Sequence, residues 1–155
     1  MEFEVAEQSF STSPYRFYLE LFIVHPTLAS EEISKTLGME PHVAHGVGSP
    51  RRTPKGTSLP RTYPDTRWRH SVEHVITDQW FVPEVVRLID RLEPHKAFFA
   101  NVRSTGGNAM INIQFMDGFL ADEIPCAMLA RIVDLDLSLG IECFAGLKRE
   151  VTAHT

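Results

Sequence analysis

The chain has 155 residues, with 15 Lys plus Arg against 20 Asp plus Glu, a net charge of -5 and 43% hydrophobic residues. That length suits one domain able to bury a core without disulfides or metals, and the composition excludes a disordered, collagen-like or coiled-coil chain. No apolar run approaches the roughly 18 residues of a membrane span.

Residues 1–14 read as a polar N-terminal arm. MEFEVAEQSF is acidic and lacks the basic start and apolar core of a secretory signal. In YRFYLELFIVH, Tyr15, Phe17, Leu19, Leu21 and Ile23 alternate, which predicts a strand. Phe22 and Val24 on its other face mark that strand as central. In LASEEISKTLG, Ser30 is the expected N-cap, Glu31 and Glu32 favour the positive helix end, and Gly38 supplies the stop.

Beyond Pro41 the pattern weakens. A short strand fits near 42–47, and residues 48–65 read as a long basic loop rich in Pro and Gly. TRWRHSVEHVI alternates again, with Trp68, His70, Val72, His74 and Ile76 on one face and Arg67, Arg69, Ser71 and Glu73 on the other. It reads as an edge or half-exposed strand. Residues 78–93 take helical spacing, capped by Asp78, with a stripe of Trp80, Val85, Leu88, Ile89 and Leu92. A helical piece follows Pro94 over 95–104. NAMINIQFM is a strand, residues 123–135 a helix capped by Asp122, and LDLSLGIECF a last strand.

Interleaved helices with two consecutive strands predict an α+β two-layer sandwich. Its sheet is mixed and largely antiparallel, of about five strands, with helices mainly on one face. The single domain spans 15–146, and 147–155 form a C-terminal tail.

LASEEISKTLGMEPHVAHGVGS resembles the start of the bacterial family called domain of unknown function 4279. That pattern is a short helix ending Ile-Ser-x-x-Leu-Gly, then Pro, then Gly. Here these are Ile33, Ser34, Leu37, Gly38, Pro41 and Gly46. A basic linker follows, then Trp and Ser, here Trp68 and Ser71. The similarity spans about residues 15–146, although the Pro-rich insert before Trp68 and the tail after Gly146 depart from it. The resemblance implies a compact bacterial domain and no particular activity.

Several chemistries find no support in the sequence. His70 and His74 lie four residues apart in a strand, about 13 Å, too far to share one zinc ion. No Gly-x-Ser-x-Gly elbow or P-loop occurs. Cys126 and Cys143 are too few for a disulfide framework and read as small buried hydrophobes, which points to a cytoplasmic protein with reduced thiols. Neither a catalytic constellation, a metal site nor a cofactor motif is expected.

Charge is the main functional signal. Residues 51–70 carry six cations against one acid, so the remaining chain has nine cations against nineteen acids. The expected function is a non-enzymatic module that binds a small anionic ligand or an acidic protein, with Arg51, Arg52, Arg67 and Arg69 as a rim and Trp68 at its base. Nucleic acid is disfavoured by the acidic remainder, and no membrane contact is expected. Two alternatives stand beside it. One is an enzyme acting on an anionic substrate with His45 or His70 as general base. The other is a domain that self-associates, as a homodimer, through an exposed edge strand.

Overall fold

The structure, a computed structural model, describes residues 15–77, 81–116 and 123–144. Strand β1 (Tyr15–His25) is followed by α1 (Ser30–Leu37), β2 (Val43–His45), β3 (Pro50–Arg52), β4 (Ser58–Thr62) and β5 (Thr66–Ile76). Then come α2 (Val82–Leu92), a 3₁₀ turn (Glu93–His95), α3 (Lys96–Ser104), β6 (Asn108–Phe115), α4 (Cys126–Asp134) and β7 (Ser138–Cys143). Five strands form one mixed sheet in the order β2-β5-β1-β6-β7, while β3 and β4 pair separately. Only β6 and β7 are parallel, joined through α4. The fold is an α+β sandwich with its helices mainly on one face.

The period-2 pattern of β1 places it at the centre. Phe17, Leu19, Leu21 and Ile23 are buried beneath the helices. In register they meet His74, Val72, His70 and Trp68 of β5, and Phe115, Ile113, Ile111 and Ala109 of β6. The helices close this face with Ile33, Leu37, Val85, Ile89, Leu92, Phe99, Val102, Met128 and Ile132, all buried. Each such side chain contributes about 1.5–3 kcal/mol on burial.

Several details differ from the sequence expectations. Ser30 is the first residue of α1 rather than its cap; Ala29 takes the cap position in an extended conformation, and no side chain closes the turn. Asp78, Trp80 and Asp122 lie outside the described residues. The last strand starts at Ser138, not Leu135. Leu135 and Leu137 are buried, but Asp136 between them has φ +55°, so their alternation reflects a turn off α4. Cys126 and Cys143 are both exposed. Cys126 opens α4 on its solvent side and Cys143 ends the outer strand, so apolar neighbours in sequence did not imply burial. The stretch read as a basic loop contains a hairpin, β3 and β4.

No helix among the described residues is long and apolar enough to cross a membrane.

Candidate functional site

The face of the sheet away from the helices is built in rows about 7 Å apart along the strands. The first row holds His45, Arg67, Val24 and Asn108. The second holds Val43, Arg69, Phe22, Met110 and Ser138. The third holds Ser71, Glu20, Asn112 and Gly140, and the fourth Glu73, Tyr18, Gln114 and Glu142. This face is therefore cationic at the β2 end and acidic beyond it, with Arg16, paired with Glu73 at 3.6 Å, at the far end.

The hairpin extends from the cationic end. Gly48 N–H donates to the Tyr63 carbonyl at 2.8 Å and Tyr63 N–H to that of Ser49 at 3.0 Å, closing its base. The Tyr63 ring stacks on His45 at 4.4 Å, and Val47 N–H donates to the Oγ1 of buried Thr66 at 2.9 Å. Arg51, Arg52, Lys55 and Arg61 are all exposed on it. None has a carboxylate partner among the described residues, whereas Arg16, Arg67, Arg69, Arg87, Lys96, Arg103 and Arg131 each do.

Of the residues singled out from the sequence, Arg67 and Arg69 share the open face, and Arg51 and Arg52 belong to the adjoining hairpin. Arg67 is engaged with Asp65 at 3.1 Å. Trp68 does not join them. It lies on the helix side, fully buried, with its indole N–H donating to Ser34 Oγ at 2.9 Å. Trp68 is core, and the expected indole floor beneath the arginines is absent; Phe22 fills that role instead. The Arg69 guanidinium lies over the Phe22 ring, 4.1 Å from its centre, an arrangement that adds cation–π attraction.

Behind Arg69 is a cluster that sequence reasoning missed. Glu20 is only 6% exposed and Asn112 2%. Glu20 faces Arg69 at 3.8 Å. Burial pushes its carboxyl above the usual carboxylate range; Arg69 pulls it back, Glu142 repels it further, and the Asn112 hydrogen bond opposes the rise. Asn112 donates from Nδ2 to Glu142 Oε1 at 2.9 Å. Its Oδ1 is buried without a partner. Gly140, opposite Asn112, leaves that carbonyl its space: a Cβ there would stand 2.8 Å from Oδ1. A lone Glu in a strand of YRFYLELFIVH was the only signal available from sequence.

The histidines regroup as well. His42 and His70, not His70 and His74, come together, with ring centres 5.5 Å apart. His70 Nδ1–H donates to the Glu40 carbonyl at 2.6 Å, while His42 Nδ1 accepts from Ser71 N–H at 3.1 Å. Neutral His42 thus carries its proton on Nε2 and neutral His70 on Nδ1. His45 and His70 lie on opposite faces of the sheet. Among the described residues no three His, Cys, Asp or Glu side chains are grouped to hold a metal ion.

Fold and face together define a two-layer α+β domain with a polar open sheet face and a cationic appendage. The chain belongs to the family described as Domain of unknown function (DUF4279), which matches residues 14–143. Neither the curated proteins nor the solved structures give a match.

Proposed function

We propose that this protein is a non-enzymatic binding module that grips an anionic ligand or an acidic protein segment. The contact is made by the hairpin cations Arg51, Arg52, Lys55 and Arg61 and the adjoining end of the sheet face, at Arg67 and Arg69. The observation that carries this reading is the set of four hairpin cations without carboxylate partners among the described residues, in a chain of net charge -5. Most other described cations are paired with a carboxylate; Lys35 and Arg91 are exceptions, and the hairpin is where unpaired cations cluster.

Two further features support the reading. Arg61 has φ +74°, a conformation that costs an L residue roughly 1–2 kcal/mol. Such strain is tolerated at binding sites more often than elsewhere. The arginines present planar donor forks suited to carboxylate and phosphate. A nucleic acid duplex suits the module poorly, because its long phosphate track would also meet the acidic remainder of the chain. Two exposed thiols fit a reducing bacterial cytoplasm.

The test is thermal unfolding of the full chain with tripolyphosphate or poly-L-glutamate, against potassium chloride at matched ionic strength. Either polyanion should raise the melting temperature of the parent. A variant with Arg51, Arg52, Lys55 and Arg61 all changed to Ser should fold and lose that rise. Equal behaviour of parent and variant would overturn the proposal.

A further inference from the structure

We propose that Glu20 and Arg69 form a proton-gated clasp for an oxyanion: a proton taken up by Glu20 releases the Arg69 guanidinium to an external carboxylate, sulfate or phosphate group. This rests on the anion-binding reading above and adds the residue on the sheet that holds the anion and the event that controls it.

Carboxylates outnumber cations around Glu20. Two carboxylates, Glu20 and Glu142, flank Asn112, and the one guanidinium, that of Arg69, faces Glu20. Glu142 is exposed and screened by water, while Glu20 is buried. A proton entering this cluster therefore goes to Glu20. The groups facing Glu20 are Arg69, Ser71 and Glu73 from β5, Asn112 and Gln114 from β6, and Glu142 from β7, with Tyr18 and Phe22 on its own strand. Arg69 is the one cation among these.

Hydrogen-bond donors are short there as well. Asn112 Nδ2 donates to Glu142 Oε1, and Asn112 Oδ1 has no donor although it is buried. The cluster lacks one donor. A protonated carboxyl supplies it, since it donates as well as accepts.

Protonation of Glu20 leaves Arg69 without a partner charge. The Glu20–Arg69 separation of 3.8 Å exceeds the 2.7–2.9 Å of a charge-assisted hydrogen bond. Arg69 is thus held by charge and by the Phe22 ring. With Glu20 neutral, only the ring contact remains. The Arg69 side chain is 42% exposed, so its donors are open to an oxyanion. Linkage then requires that the anion favour proton uptake by as much as the proton favours the anion.

Sulfate is a suitable probe because it does not titrate between pH 5 and 8. Its affinity for the full chain should rise as pH falls, by up to about tenfold per pH unit for one linked proton. Glu20→Gln should bind at pH 8 as the parent does at pH 5 and lose most of the pH dependence. Arg69→Met should lose the pH-dependent part. The carboxyl carbon of Glu20 in the parent, followed by NMR, should titrate above the ordinary glutamate range and shift further upward with sulfate. That measurement needs no variant. The same pH dependence in Glu20→Gln as in the parent would assign it to the histidines and overturn the clasp. Sulfate binding that is lost in the hairpin variant but indifferent to Glu20 and Arg69 would overturn the clasp alone. No anion binding at any pH would overturn both this inference and the reading it rests on.

Discussion

Trp68 and Ser34 are joined across the interface of β5 and α1, the indole N–H donating to Oγ at 2.9 Å. The bond satisfies the one polar atom of the largest fully buried side chain in the described core. It also fixes which face of β5 is inward, and so sends Arg67 and Arg69 outward.

Ser34→Ala should therefore destabilise the protein by about 1–3 kcal/mol, the cost of orphaning a buried donor. Urea unfolding at an unchanged m-value is the measurement. A change near zero would mean that the indole finds another acceptor.

Two glycines should differ in cost. A Cβ at Gly107 would stand 2.5 Å from His25 Cδ2 and 2.9 Å from both the Val24 carbonyl and Val102 Cγ1. None of these can give way. His25 is 3% exposed, with Nδ1 accepting from the N–H groups of Thr27 and Leu28 and Nε2 bonded to Thr105 Oγ1. At Gly140 the obstacles are the ends of two side chains, Asn112 Oδ1 and Met110 Sδ. Gly107→Ala should cost roughly 3 kcal/mol or more and Gly140→Ala nearer 1 kcal/mol, within the usual range of overpacking. Comparison of their urea midpoints checks the order, and equal values would show that the Gly107 turn yields.

The long strands were legible because one face is buried and the other is not. In TRWRHSVEHVI the alternation already put Trp68 opposite Arg67 and Arg69, so a rim of those arginines around that indole conflicted with the strand it was built on. The hairpin was not legible: every residue of Pro50–Arg52 and Ser58–Thr62 is exposed, so no hydrophobic period exists to be read. Neither was the Glu20 cluster. It depends on the register that sets Glu20 between Ser71 and Asn112, and register is a property of three strands at once. The helix boundaries drifted where Asp136 reverses the chain after α4, because a turn that buries Leu135 and Leu137 mimics a strand.

The raised Glu20 carboxyl has a direct consequence for stability. Desolvation is its largest cause, followed by the opposing pull of Arg69. The folded chain then holds the Glu20 proton more tightly than the unfolded chain, whose glutamates release theirs near 4.5. Below that value both states are protonated, and Glu20 adds no pH dependence. As pH rises past it, the unfolded chain loses the proton first, so stability falls until the folded carboxyl has also ionised. Above that point the penalty is constant. Glu20→Gln keeps the neutral shape and avoids the penalty. It should match the parent at pH 4 and be more stable at pH 7. Glu142→Gln should shrink the parent's loss, because it removes the like charge that adds to the shift. Urea midpoints for the three proteins between pH 3.5 and 8 give the comparison. A Glu20→Gln variant less stable than the parent at pH 7 would mean that attraction to Arg69 outweighs the burial of the charge.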